Sequence, residues 1–139
     1  MEIKLLESMD MGFGWLPPEY DGQRVFRWTG ALSEVFVEPA DNNYLVFHAG
    51  TDRNGRAMQV ISDGAVIREF KMEFGWWYYT VRIPSTDRLF LHSETFCQGG
   101  GDRRALGIMV AELFVTQQIQ PGDLRIDEHY LATKPDFNV

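Results

Sequence analysis

The chain has 139 residues, 45% of them hydrophobic and 24% charged, with a formal net charge of −7. That length and composition describe one ordinary globular domain able to bury a core without disulfide staples or a structural metal. The acidity excludes a general nucleic-acid binder, which needs a basic surface, and no apolar run is long enough to span a bilayer.

In chain order, period-two apolar spacing predicts strands over Glu2–Leu6, Arg24–Trp28, Ala31–Val37, Tyr44–Ala49, Ala57–Ile61, Val66–Phe70, Trp76–Ile83, Arg88–Ser93 and Leu106–Val115. The opening stretch Met1–Asp10 alternates apolar and charged residues and carries no export-signal pattern. Turn chemistry separates the later strands: Asp41-Asn42-Asn43, Asn54-Gly55, Asp63-Gly64, Pro84-Ser85-Thr86-Asp87 and Gly99-Gly100-Gly101. Asn54-Gly55 and Asp63-Gly64 are pairs that type I′ hairpin turns prefer. The final strand is ambiguous, because Leu106, Met109, Val110 and Leu113 also fit a helical face. Its run from Ile108 to Val115 is apolar on both faces apart from Glu112, which suits a central strand as well as a helix. Gly107 disfavours a helix by about 1 kcal/mol relative to Ala, and a strand is the reading adopted. Short strands at this spacing predict a β-sandwich or barrel. Residues 1–120 are expected to form that domain. The more polar stretch from Pro121 to Val139 reads as a C-terminal extension or a linker. With one cysteine, Cys97, no internal disulfide can form. A reducing, cytoplasmic setting follows as the expectation.

Several segments occur together in a recognisable order. They are Gly14-Trp15-Leu16-Pro17-Pro18-Glu19, Phe26-Arg27-Trp28-Thr29, Trp76-Trp77-Tyr78-Tyr79 with Ile83-Pro84, Phe96, and Asp102-Arg103-Arg104-Ala105-Leu106-Gly107-Ile108. From Gly12 to Val115 this order resembles the small β-sandwich accessory domains found beside bacterial glycosyltransferases and other surface-polysaccharide enzymes. Those domains look like jelly-roll carbohydrate-binding modules. The resemblance implies an all-β, jelly-roll-like antiparallel β-sandwich of eight or nine strands. It implies a neighbourhood more than an activity, with a glycosyltransferase as partner. A glycan or sugar moiety is the expected ligand, and a second copy of the chain is a partner only on the alternative reading as an interaction module. Structural calcium is common in such modules. Asp41-Asn42-Asn43 and Asp52-Arg53-Asn54-Gly55 offer hard oxygen ligands, yet neither completes an EF-hand pattern and both read as turns. The expectation is therefore no cofactor, with a structural calcium as the alternative that the resemblance leaves open.

Sugars present flat C–H faces and many hydroxyls, so proteins bind them with exposed rings flanked by polar side chains. Trp15 and Tyr20 sit in a Gly/Pro-rich loop, and Trp28 ends a predicted strand. Alternation along Trp76–Ile83 places Trp77, Tyr79, Val81 and Ile83 toward the core, leaving Trp76 and Tyr78 on an open sheet face. The competing reading is that large aromatics in a sandwich fill its core. His48 and His92 both fall opposite their strands' Leu and Phe residues, so both are expected outward, lining one concave face. The alternative is that both are ordinary surface residues. Asp102 and Arg103 form a polar loop able to grip a hydroxylated or anionic ligand, or else a structural ion-pair network. The candidate ligand set is thus Trp15, Tyr20, Trp28, His48, Trp76, His92, Asp102 and Arg103, with Trp15 foremost.

Catalytic and metal motifs find little support. No HxxH, HExxH or CxxC spacing joins the histidines and Cys97. The triple glycine is followed by Asp-Arg-Arg, not by Gly-Lys-Ser/Thr, and no GxSxG elbow occurs. Ser93 adjoins His92, but neighbours on a strand point to opposite faces. The expected function is therefore a non-catalytic carbohydrate-binding-like module linked to bacterial glycan or polysaccharide synthesis. The alternative is a protein-interaction or dimerisation sandwich that binds no sugar.

Overall fold

Alternating apolar residues with turn chemistry between them fold, among the described residues, as ten strands. They are β1 (Glu2–Lys4), β2 (Glu19–Tyr20), β3 (Val25–Trp28), β4 (Leu32–Phe36), β5 (Asn43–Thr51), β6 (Arg56–Ser62), β7 (Ala65–Met72), β8 (Gly75–Ile83), β9 (Arg88–Ser93) and β10 (Met109–Thr116). The computed structural model describes residues 12–117 and the backbone of Glu2–Lys4. Those residues contain no helix, hence none long and apolar enough to cross a membrane.

The strands form two antiparallel sheets. The larger has the order β2-β3-β10-β5-β8 with β1 also on β10, and the smaller has the order β4-β9-β6-β7. The chain passes from one sheet to the other at nearly every connection from β3 onward, and only β6 and β7 are consecutive neighbours within the smaller sheet. The expected all-β, antiparallel sandwich is the observed fold.

Strand alternation fills the space between the sheets. From β5 come Leu45, Phe47 and Ala49, and from β8 come Tyr79, Val81 and Ile83. Opposite them lie Val35, Met58, Val60, Phe70, Met72, Leu89 and Leu91. Phe47 stacks on Tyr79 at 5.5 Å and meets Phe70 of the facing sheet edge-on at 5.8 Å. That ring cluster ties the two layers together, each large side chain contributing about 1.5–3 kcal/mol by burial. Near one edge the layers approach closely. A Cβ on Gly107 would lie 2.3 Å from both Thr29 Oγ1 and Ser93 Oγ, so only glycine fits. The buried Thr29 hydroxyl accepts from the Ile108 amide at 3.0 Å, which satisfies both groups away from water.

The structure departs from the sequence reading at several points. The last strand starts at Met109, with Leu106 making an isolated bridge to Phe96. A bulge between Val110 and Glu112 shifts its register against β5. Asp63-Gly64 does form a two-residue hairpin turn, with φ of 51° and 78°. Asn54-Gly55 instead carries the chain from the larger sheet to the smaller, so it closes no hairpin. The two-residue β2 is too short for alternation to reveal. Leu5, Leu6 and the expected extension over 121–139 lie outside the described residues.

Candidate functional site

The outer face of the larger sheet gathers ionisable and aromatic side chains into one group. Strand register places Met109, Gly50 and Trp76 in one cross-strand row and Glu112, His48 and Tyr78 in the next. The bulge in β10 makes this possible. Strict alternation would put Glu112 on the same side as Val110, which is fully buried in the core. The extra residue reverses the phase and turns the carboxylate outward beside His48.

Within this group the His48 and Tyr78 rings stack, with centroids 4.1 Å apart and planes within 6°. The Tyr78 hydroxyl donates a hydrogen bond to the Glu112 carboxylate. His48 Nδ1 lies 3.7 Å from the same carboxylate oxygen. Trp76 lies 5.4 Å from His48, centroid to centroid, and rests on Gly50, where a Cβ would come within 2.7 Å of the indole. All four side chains are half-buried. The arrangement offers a flat ring, a titratable imidazole, a phenol and a carboxylate within one small area.

Beyond Trp76 a row of rings runs toward one edge. Phe26 meets Trp76 edge-on at 6.1 Å, Trp28 meets Phe26 at 6.1 Å, and Phe96 meets Trp28 at 5.7 Å. A guanidinium caps each end, Arg24 over Trp76 at 4.3 Å and Arg56 over Phe96 at 4.4 Å. Phe26, Trp28 and Leu106 form the buried centre of this second, smaller core.

Of the residues singled out in the sequence, the structure brings His48 and Trp76 together. Trp28 belongs to the adjoining ring row but is 5% exposed, closed in by its neighbours. Trp15 is half-buried against the main core, and its indole N–H donates to the Glu34 carbonyl at 2.8 Å. Tyr20 is exposed on β2, its hydroxyl donating to the Gly22 carbonyl. His92 requires a correction. It stands on β9 in the smaller sheet, where Nδ1 contacts Gln59 Oε1 at 3.1 Å. The two histidines therefore occupy outer faces on opposite sides of the sandwich and cannot line one surface. Asp102 bonds to Arg104, at 3.0 Å from Nε and 2.9 Å from Nη2, and Arg104 also reaches Glu19 at 2.9 Å. Those Arg104 hydrogen bonds hold the Asp102 carboxyl below the ordinary range. Arg103 is exposed beside this network.

Sequence reasoning missed Glu112, Arg24 and Phe26, and left Tyr78 outside the candidate set. Glu112 did leave a signal, as the one charge in an otherwise apolar strand. No group of three or more His, Cys, Asp or Glu side chains able to hold a metal ion occurs among the described residues. Asp52 bonds instead to Arg56 at 2.8 Å, and Asn42 Oδ1 accepts from Arg82 at 2.9 Å.

Solved structures provide the comparison. A family 6 carbohydrate-binding module from Cellvibrio mixtus lichenase 5A, in complex with cellotriose, superposes with a TM-score of 0.50 at 11% identity, covering 86% of this chain and 98% of that one. The C-terminal family 6 module of the laminarinase LamC from Zobellia galactanivorans gives 0.51 at 14% identity, covering 84% and 98%. A family 29 carbohydrate-binding module, in a study of its ligand recognition, gives 0.52 at 10% identity, covering 87% and 99%. The chain has the fold of carbohydrate-binding β-sandwich modules. No protein-family model matches the sequence, and no curated protein matches it.

Proposed function

We propose that this chain is a non-catalytic carbohydrate-binding module whose ligand lies across the outer face of the larger sheet. The observation that carries the reading is the convergence of Trp76, His48, Tyr78 and Glu112 in two adjacent cross-strand rows. An indole can stack on the C–H face of a sugar, while the imidazole, phenol and carboxylate meet its hydroxyls. The likeness of fold to carbohydrate-binding modules supports it. Glycoside hydrolysis by the usual route needs two carboxyl groups flanking the bond. The group contains one, Glu112, which favours binding over hydrolysis. Its expected setting is beside the enzymes of bacterial glycan or polysaccharide synthesis, with a glycosyltransferase as neighbour. Co-purification of such an enzyme with the tagged chain is the expected outcome there, and its absence counts against that setting.

A glycan array followed by isothermal titration tests the binding itself. Wild-type chain should bind at least one saccharide. Trp76→Ala should weaken that binding by tenfold or more, about 1.4 kcal/mol, and Glu112→Gln by several-fold, with the circular dichroism of each variant unchanged. Failure to bind any saccharide overturns the reading.

A second reading rests on the opposite side of the molecule. On and beside the outer face of the smaller sheet, Phe13, Phe36 and Val66 are 56%, 45% and 51% exposed, and Phe13 packs on Phe90 at 5.9 Å. An apolar surface of this kind suits a protein partner. Light scattering that finds a concentration-independent monomer, unchanged by Phe36→Ser, removes dimerisation from that reading.

A further inference from the structure

Arg24 differs from the arginines of this fold that pair with carboxylates. Arg53, Arg56, Arg88 and Arg104 each lie within 4.0 Å of a carboxylate oxygen. The guanidinium of Arg24 has no such partner among the described residues. It covers the Trp76 ring at 4.3 Å, and its Nη1 is buried without a hydrogen-bond acceptor. Asp21 is the carboxylate nearest in sequence. Its Oδ1 is engaged by the amides of Gln23 and Arg24, at 2.9 and 2.8 Å, which hold the turn between β2 and β3. A buried donor left without an acceptor is costly, and the cost is comparable to what the cation–ring contact returns. The stack is therefore poised: the ring is seated, and the cation above it has an unmet bond.

The two partners are not equally free to move. Trp76 is held from beneath by the close approach of Gly50 and at its edge by Phe26. Arg24 lies outside the ladder, in the turn between Tyr20 and Val25. A ligand that draws Arg24 aside gains the face of the indole that the guanidinium now covers.

We propose that Arg24 is the specificity-determining residue of this face, and that the glycan it selects contains a uronic acid. The inference rests on the carbohydrate-binding reading and goes further by naming the sugar class. A carboxylate matches the planar fork of a guanidinium and satisfies Nη1 with a charge-assisted bond. The sugar ring bearing that carboxylate then stacks on the Trp76 face that Arg24 vacates. Glu112 fixes the polarity. It stands in the next row, so hydroxyls of the ligand face Glu112 and Tyr78 while the carboxylate lies at the Trp76 end. A neutral sugar would displace the same cation without replacing its electrostatic partner. The overall charge of −7 repels polyanions at a distance, so selection depends on this local cation.

The test is isothermal titration of the full chain at fixed ionic strength. The probes are short oligouronates (galacturonate, glucuronate, mannuronate and guluronate), their methyl esters, cellotriose and a sulphated galactan. At least one oligouronate should bind tenfold or more tightly than its methyl ester. R24Q should bring that ratio to within twofold, and R24K should retain part of it. Lys71→Gln, which removes a positive charge from the other sheet, should leave the ratio unchanged. Equal affinity for acid and ester, survival of the ratio in R24Q, or equally tight binding of the sulphated galactan overturns the assignment. Neutral binding that is lost in Trp76→Ala but shows no acid preference overturns it while leaving the carbohydrate reading standing. No binding to any probe overturns both.

Discussion

At Gly50 the absence of a side chain is what lets an indole lie against the sheet. A methyl group added there would sit 2.7 Å from Trp76 Cε2 and 2.8 Å from Cδ2, well inside contact distance. The ring would have to lift, and Phe26, His48 and Arg24 all touch it. Gly50→Ala is therefore expected to cost about 1–3 kcal/mol in denaturant-induced unfolding, the range for overpacking. The same substitution should weaken saccharide binding about tenfold, since Trp76 supplies the stacking surface. Titration and urea unfolding of one variant check both. Unchanged stability together with unchanged affinity would mean that the seat of the ring is unimportant. Trp15 contrasts with Trp76. Its indole N–H is bonded to the Glu34 carbonyl and its ring packs on the main core, so its truncation should act through stability.

At the scale of the strand, legibility in the sequence followed local alternation and stopped where long-range geometry took over. Leu45, Phe47 and Ala49 could be placed inward, and Trp76 and Tyr78 outward, because a strand reverses side at every residue. The outward pair of histidines was also read correctly strand by strand. Their grouping was not, since nothing local shows that β5 and β9 belong to different sheets. The bulge in β10 was equally hidden. It converts a run that looks apolar on both faces into a strand with Leu113 inward and Glu112 outward. The start of β6 holds a further case. Arg56 is 2% exposed and points inward with Nε and Nη1 lacking acceptors, while Nη2 bonds to Asp52. Removing only the acid leaves a buried cation unpaired, whereas replacing the cation itself removes the problem. Asp52→Asn is therefore expected to destabilise by about 1–2 kcal/mol, reduced from the figure for a wholly buried pair because Asp52 is half exposed. Arg56→Met, of similar length, should be neutral or stabilising even though it gives up the contact with Phe96. Chemical denaturation of the two variants decides; an Arg56→Met loss larger than that of Asp52→Asn would show that the guanidinium supports the fold.

Across the whole molecule, pH acts through groups whose ionisation differs between folded and unfolded chain. On the acid side, hydrogen bonds hold three carboxyls below their ordinary range: from Arg56 to Asp52, from the Gln23 and Arg24 amides to Asp21, and from Arg104 to Asp102. Their contribution is present above the unfolded carboxyl pKa of about 4 and is lost as pH falls through the folded values. On the alkaline side one residue dominates. Tyr79 sits between the sheets, stacked on Phe47, and burial pushes its phenol up from 10.0 to about 12. The neutral phenol is the form the core accepts, so its contribution is complete below pH 10. Between pH 10 and 12 the unfolded chain releases this proton and the folded one does not, which pulls the equilibrium toward unfolding. Each unit of pH across that interval is worth about 1.4 kcal/mol, so roughly 2–3 kcal/mol of stability should disappear. Tyr79→Phe isolates the effect. The variant loses the hydrogen bond that the Glu73 amide donates to the phenol oxygen at 3.2 Å, a cost of about 1 kcal/mol that does not vary between pH 7 and 10. Other titrating groups and the growing net negative charge act alike on both proteins. Urea midpoints measured from pH 7 to 12 should therefore differ by a constant below pH 10, then converge and cross above it, leaving the wild type less stable than the variant by about 1–2 kcal/mol at pH 12. Parallel curves through pH 12 would mean that water reaches the Tyr79 hydroxyl, and that the two sheets are less tightly closed around it than the ring cluster implies.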